Sequence, residues 1–303
     1  MPLLFPRGLD NEARSRVDAI VAGRPPTPAL VREVLGALDQ QRYPSAVSVR
    51  WSDADVDVVD VGAAHLAIDR ADASVSIQIA AGEYEPHVAT TLRERLRPGA
   101  TFVDAGANVG YHTVLAAVAV GAEGRVIAVE ANPENARLLR RSVEVNGFTN
   151  VDVLPLALGA SWGSVEFGGH IGSNGGFVDA GAAGRAEGRA TLVPTIPLDA
   201  LGLDRVDLVK IDVEGAEALV LDGALGTLER CRPTIVMEFS VEMTRRVAGR
   251  DPREHLGRIE ELGYELAVID RAAGRPLPAT SADALLAGWD SEIRIEDLLL
   301  TPR

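Results

Sequence analysis

The sequence predicts a doubly wound α/β fold, an open and mostly parallel sheet with helices on both faces, and three observations predict it. From residue 101 onward, short apolar runs alternate with helical stretches, the order that builds parallel sheets. The run Thr101-Phe102-Val103-Asp104-Ala105-Gly106-Ala107-Asn108-Val109-Gly110 reads as a buried strand, a tight glycine turn and a helix start. Val126-Ile127-Ala128-Val129-Glu130 reads as the next strand, closed by a carboxylate. Parallel strands that end in acids beside a glycine turn make a pocket at the carboxyl edge of the sheet, where such folds bind ligands.

The elements follow in order. Residues 1–46 read as helical, with Thr27 as a cap, Pro28 in the first turn and an apolar face of Ala29, Leu30, Val34, Leu35 and Leu38. Residues 47–80 alternate at Val47, Val49 and Trp51, then Val56, Val58 and Val61, then Leu66 and Ile68, then Val75, Ile77 and Ile79, which predicts a small antiparallel meander. These 80 residues are expected to form an N-terminal helical and β-meander extension, and residues 81–303 the ligand-binding domain. Pro86 opens a helix that ends near Arg97-Pro98-Gly99. The helix Tyr111 to Val120 is apolar nearly all round and should be buried. Asn132-Pro133 caps and starts another that ends at Asn146-Gly147.

Val151 to Leu158 is expected as the third core strand, and Ser164 to Phe167 as an extra one. Residues 168–190 are glycine-rich and read as a long loop, either a lid or substrate loop or plain disorder. A strand from Val206 to Asp212, a helix from Ala216 to Leu228 and a strand from Thr234 to Glu238 follow. Asp251-Pro252-Arg253-Glu254 has capping-box spacing for a helix to Leu262. Tyr264 to Ile269 and Ile293 to Thr301 complete the set.

Composition bounds the function. The 303 residues carry a net charge of −14, with 47% hydrophobic and 24% charged residues. Such acidity argues against a nucleic-acid partner, which needs clustered Lys and Arg, and suits a neutral or cationic small substrate. It also serves solubility. Cys231 is the only cysteine, so no internal disulfide forms, and a reducing, cytoplasmic setting is expected. The opening Met1-Pro2-Leu3-Leu4-Phe5-Pro6-Arg7 is too short and Pro-broken for a signal peptide. No stretch approaches the ~20 apolar residues of a membrane span. Lys210 is the only lysine, which together with the Ala and Gly richness suggests a high-GC bacterial genome.

The glycine spacing narrows the ligand. A dinucleotide fingerprint is G-x-G-x-x-G, with glycines placed against a pyrophosphate. Here Gly106 and Gly110 are spaced G-x-x-x-G, and Asp104 precedes them by two residues, where it would oppose a pyrophosphate and suit a cation. S-adenosylmethionine carries a ribose, an ammonium and a sulfonium but no phosphate. Glu130 at the second strand end is expected to take both ribose hydroxyls. Asp104 is expected at the methionine ammonium, or as a cap on the turn amides. Asn108 either bonds the methionine carboxylate or simply tolerates the turn.

A second run, Lys210-Ile211-Asp212-Val213-Glu214-Gly215-Ala216-Glu217, puts Lys210, Asp212 and Glu214 on one parity of a strand and its exit. Glu238 ends the next strand at the same edge. Asp212 is the leading candidate to accept a proton from a substrate, with Glu214 and Glu238 behind it. A fixed polar network around the loop is the competing reading. Lys210 should be an ion-pair partner of Asp212 or Glu238, because an unpaired buried lysine is costly. His112 reads first as a packed, hydrogen-bonded histidine and second as a catalytic base, and it joins the candidate substrate contacts. Tyr84, Glu85 and His87 are candidates for the substrate mouth. No metal motif is present. A Mg²⁺ held by Asp212, Glu214 or Glu238 with waters stays compatible, because that ion needs few protein ligands.

Together these runs resemble the FkbM family of S-adenosylmethionine-dependent methyltransferases. The matching residues are Phe102 to Thr113, then Glu130-Ala131-Asn132-Pro133, then Lys210 to Glu217, with Gly82-Glu83-Tyr84-Glu85-Pro86 as a lead-in. The resemblance covers roughly residues 80–240 and leaves the first 80 outside. It implies a class I, Rossmann-like fold, and a cofactor set that includes Ala131 and Asn132 beside Glu130. It further implies an O-methyltransferase acting on the hydroxyl of a natural product, sugar or glycolipid; a homodimer is a separate expectation. Two other readings stand against it: an NAD-dependent oxidoreductase on a related sheet, and a partner-binding protein with a vestigial cofactor fold. A protein or RNA methyltransferase is a weaker option, RNA being disfavoured by the net charge.

Overall fold

The computed structural model describes residues 56–70, 72, 75–168, 176–177, 191–289 and 294–303. The helical reading of residues 1–46, the alternation at Val47, Val49 and Trp51, and most of the 168–190 loop lie outside the described residues.

The elements, in chain order, begin with a hairpin of β1 (Val56–Asp60) and β2 (His65–Asp69), then α1 (Val75–Ala81) and α2 (Pro86–Arg95). The core then runs β3 (Thr101–Ala105), α3 (Tyr111–Val120), β4 (Arg125–Val129), α4 (Pro133–Asn146) and β5 (Val151–Leu154). Next come β6 (Ala157–Leu158), β7 (Gly163–Gly168), β8 (Gly176–Phe177), β9 (Thr191–Ile196) and a 3-10 turn at Leu198–Leu201. The second half has β10 (Leu208–Ile211), α5 (Glu217–Asp222), α6 (Leu225–Cys231), β11 (Thr234–Phe239), α7 (Val241–Arg246) and α8 (Pro252–Glu261). It closes with β12 (Tyr264–Asp270), β13 (Arg275–Pro276), α9 (Ala282–Ala287) and β14 (Glu296–Pro302).

Eight strands form the central sheet in the order β13-β12-β14-β11-β10-β3-β4-β5. From β11 to β5 all neighbours are parallel. β14 runs antiparallel between β11 and β12, and β13 pairs antiparallel with β12 at the edge. The class I, doubly wound architecture read from the sequence is present. Strand parity splits the core in two. Val103, Ile127, Val209 and Ile235 face one layer, which includes Val220, Leu228 and Leu256 of α5, α6 and α8. Phe102, Val126, Leu208 and Val236 face the other, under α2 and α3. Burial on both faces explains why these strands read as continuous apolar runs.

Chain order reverses at the β3–β10 junction: β4 and β5 extend one way, β10 and β11 the other. This switch point brings the glycine turn after β3 against the exit of β10, the place where open sheets take ligands. The approach is close. A Cβ on Gly106, at φ 79, would lie 1.7 Å from the carbonyl oxygen of Asp212.

Four expectations need correction. Val75, Ile77 and Ile79 form α1, not a strand. Val75 and Ile79, four apart, are buried while Ile77 is 57% exposed, which is helical spacing, and the Asp72 carboxylate accepts from the Ser76 amide at 3.0 Å. The strand expected over Val151 to Leu158 breaks around Pro155, which has no N–H for a ladder. β5 stays in the central sheet and β6 joins the separate sheet β6-β9-β7-β8. The helix expected over Ala216 to Leu228 is two helices parted at Gly223, where a Cβ would sit 2.1 Å from the Gly159 carbonyl oxygen. The strand expected from Ile293 begins at Glu296. β8, which lies within the stretch read as a loop, and β9, β13, α7 and α9 were not anticipated.

Candidate cofactor and acceptor site

A cavity of about 650 Å³ opens along the carboxyl edge of the sheet. Its first end is built by the glycine turn and the exit of β4, with Gly106, Asn108, Val129, Glu130 and Ala131 on the wall. Glu130 is buried, and its carboxylate ties two loops together. Oε2 accepts from the Asn108 amide and Oε1 from the Asn132 amide, each at 2.7 Å. Burial is the main force on this carboxyl and pushes it up to about 7, against the two amides. Asn108 sits at φ 52, and its side-chain oxygen accepts from the Val109 amide at 2.8 Å. Gly110 stands at φ 96, and a Cβ there would come 2.3 Å from Leu139. Asn132 caps α4 by accepting from Glu134 at 2.9 Å. Gly110 and Asn132 therefore shape the turn and helix without lining the cavity.

Asp104 lies deeper. It is fully buried, its Oδ2 accepts from Thr113 Oγ1 at 2.6 Å, and its Oδ1 has no hydrogen-bond partner. Lys210, opposite it in the β3–β10 register, places Nζ 4.0 Å from Oδ1 and 2.8 Å from Asp212 Oδ2. Burial alone would lower the lysine, but Asp212 and Asp104 outweigh it and raise its pKa well above the ordinary value. The ion pair expected of Lys210 is thus with Asp212.

The second end of the cavity is carboxylate-rich: Asp212 and Glu214 line it from the exit loop of β10 and Glu238 from β11, with Glu83 and Glu85 also on the wall. Burial raises Asp212, although Lys210 pulls it back, and burial with Asp212 alongside raises Glu214. Glu238 is pushed up to about 10, first by burial and then by Asp212, Glu214, Glu217 and Asp297. Glu217 does not face the cavity. Its Oε1 accepts from the amides of Val213 and Gly215 at 3.1 and 3.0 Å and fixes the loop that carries Glu214.

The lead-in segment supplies the far wall. Glu85, at φ 40 in front of α2, bonds His112 Nε2 through Oε2 at 2.7 Å. Burial would raise Glu85, but His112 overcomes it and holds the carboxyl below its usual range. His112 is buried, so the packed reading describes it, and Tyr84 and Tyr111 pack around its ring at 6.0 and 5.1 Å. Burial, then Glu85 and Asp212, raise Tyr84 well above the ordinary phenol value. Sequence reasoning missed Arg271 and Asp297. Asp297 accepts from His87 Nε2 at 2.7 Å and from Arg271 Nη2 at 3.1 Å. No local signal marks them, because strand order alone brings residues 87, 271 and 297 together. Among the described residues, no group of three or more His, Cys, Asp and Glu side chains is set to hold a metal ion.

The first end fits S-adenosylmethionine. Each Glu130 oxygen keeps a lone pair for a ribose hydroxyl. Comparison with known proteins agrees. The model of the Methyltransferase FkbM domain matches residues 104–266. A probable cobalt-precorrin-6B C(15)-methyltransferase (decarboxylating) of Sulfolobus acidocaldarius is 37% identical over 70 residues, 23% of this chain and 36% of that one. Protein-L-isoaspartate O-methyltransferase 1 of Archaeoglobus fulgidus is 35% identical over 71 residues, 23% of this chain and 33% of that one. The chain spans about a third of the length of the curated relatives it matches. A crystal structure of Methyltransferase FkbM from Methylobacillus flagellatus covers 75% of this chain and 52% of its own, at 16% identity and a TM-score of 0.37.

Proposed function

The chain belongs to the FkbM methyltransferase family, and from that premise we propose that it methylates a hydroxyl on a small polar molecule. One observation carries the reading: a single cavity joins a ribose-type end at Glu130 to a carboxylate end at Asp212, Glu214 and Glu238. A volume of that order holds a nucleoside cofactor with an acceptor beside it. When bound, S-adenosylmethionine supplies a methyl group on a sulfonium leaving group.

The protein then has to align an oxygen about 3–3.5 Å from that methyl and manage one proton. Glu130, with Gly106, Asn108 and Ala131 around it, holds the nucleoside. Asp104, beneath the turn, adds negative charge on the side of the cofactor's cationic groups. Asp212 accepts a hydrogen bond from a second hydroxyl of the acceptor and so orients the reacting one, with Glu214 beside it. Glu238, which carries its proton at neutral pH, donates to a neighbouring acceptor oxygen. Tyr84 and Glu85 border the acceptor, and His112 sets the position of Glu85. Membership in a methyltransferase family removes the dinucleotide alternative. A vestigial binding protein would release no S-adenosylhomocysteine from any hydroxylated acceptor.

The test measures S-adenosylhomocysteine release with hexoses and methyl glycosides as acceptors, alongside cofactor binding by calorimetry. Asp212→Asn should bind the cofactor within about twofold of wild type while kcat falls about a hundredfold. Equal turnover in that variant would remove Asp212 from the site.

A further inference from the structure

We infer that His87, oriented by Asp297 and Arg271, accepts the proton that the acceptor hydroxyl gives up during methyl transfer. The inference deepens the proposed function and rests on it. Methylating a hydroxyl releases one proton, and most groups on the cavity wall are unequal to taking it. Glu238 already holds one. Asp212 is hydrogen-bonded to a buried ammonium, with Lys210 Nζ at 2.8 Å from Oδ2. Protonating Asp212 would leave Lys210 facing only Asp104 at 4.0 Å, and stripping a buried charge of its partner is costly. Glu85 is committed to His112. Glu214, raised by burial and by Asp212, is the one carboxylate on that wall that competes for the proton.

His87 differs from all of these. It lines the same cavity from the first turn of α2. Its Nε2 meets a carboxylate, which can only accept, so the ring proton sits on Nε2 and Nδ1 is left with its lone pair. Nδ1 has no hydrogen-bond partner among the described residues. Asp297 is 6% exposed, and the β11–β14 register sets it directly opposite Glu238, at the acceptor end. Three elements far apart in the chain thus converge on one imidazole. Asp297 comes from β14, Arg271 from the end of β12, and Glu85 and Glu238 are the other charged groups near the ring. An imidazole oriented by a carboxylate is a recurrent general base.

The step balances. The hydroxyl oxygen bonds to the methyl carbon while the carbon–sulfur bond breaks and its electron pair stays on sulfur. The hydroxyl proton passes to Nδ1, giving a methyl ether, a neutral thioether and an imidazolium beside Asp297. Water later takes the proton from the ring. His87 touches the acceptor here, while Asp297 and Arg271 act through it as positioning residues.

The first experiment needs no acceptor. Two-bond proton–nitrogen spectra of the full chain with ¹⁵N-histidine, assigned with His87→Gln, should place the neutral ring's proton on Nε2. Asp297→Asn should erode that preference while cofactor affinity stays within about twofold. The second measures S-adenosylhomocysteine release with hexoses and methyl glycosides, where His87→Gln should lower kcat about a hundredfold with the KM for S-adenosylmethionine unchanged. A neutral His87 protonated on Nδ1, or a His87→Gln variant as fast as wild type, overturns the assignment and leaves the methyltransferase reading standing. Wild-type protein that binds no S-adenosylmethionine overturns both.

Discussion

Glu130 performs two tasks at one carboxylate. It ties the glycine turn to the start of α4 through two amides, and it offers its remaining lone pairs to a ribose. A protonated carboxyl loses half of that capacity, and burial sets its titration at about 7. Affinity for S-adenosylmethionine should therefore rise from about pH 6 to pH 8, read by calorimetry at fixed ionic strength. Glu130→Ala should weaken binding at least tenfold, since hydrogen bonds to a charged group contribute about 1.5–3 kcal/mol each. An unchanged Kd would place the ribose elsewhere. Lys210 is the second residue with a sharp expectation. Lys210→Met leaves Asp104 and Asp212 buried without their cation and should cost about 3–5 kcal/mol in urea unfolding. A loss below about 1 kcal/mol would mean that the two carboxyls simply take up protons.

At the scale of elements, the hairpin of β1 and β2 is fixed by helix side chains in place of a neighbouring strand. Ser142 Oγ on α4 accepts from the buried Ala67 amide at 2.9 Å, and Asn146 bonds both the amide and the carbonyl of His65. Ser142→Ala leaves the Ala67 amide without an acceptor, at about 1–3 kcal/mol. Amide exchange at Ala67 should then accelerate while exchange in β3 and β4 stays slow. Equal acceleration in all three strands would mean that the hairpin and the core unfold as one unit. None of this docking is legible in the sequence, because it depends on which face of α4 the hairpin meets. The strands that carry the site are legible. Phe102-Val103, Val126-Ile127 and Leu208-Val209 are apolar on both parities, and the acids that end them stand where the strands stop. Elements whose pattern is short or split escaped: the seven residues of α1 alternate as well as they spiral, and Gly223 divides a helix for a backbone contact that only the fold creates. Asp297 and Arg271 escaped for the same reason, since β14 reaches the site by inserting antiparallel beside β11.

Taken as a whole, the molecule collects carboxyls at one sheet edge, and that choice has a sign in its stability. Glu130 and Glu217 are pushed up to about 7 and Glu238 to about 10, in each case chiefly by burial. A carboxyl raised in the folded state stabilises fully below its unfolded value near 4.5 and loses that contribution as pH rises through its folded value. His255 and Glu85 run the other way, as does Asp57 at the surface, which its hydrogen bond to Arg70 lowers. Burial lowers His255 to about 4, so its contribution is present above its unfolded value near 6.5 and disappears as pH falls toward 4. Glu85, lowered by His112, loses its contribution below about 4.5. Between about pH 4.5 and 6.5, three carboxyls gain on acidification while one imidazole loses, so the gain prevails. The Tm of the cofactor-free protein should climb from pH 8 to about pH 5.5 and fall again below about 4.5. The shift in Tm produced by S-adenosylmethionine should run oppositely and grow from pH 6 to pH 8, because only ionised Glu130 accepts both ribose hydroxyls. Scanning fluorimetry with and without the cofactor measures both trends. A cofactor-free Tm that rises toward pH 8 would mean that these carboxyls are ionised in the fold at little cost, and with that the physical basis of a polar but dehydrated acceptor end would be gone.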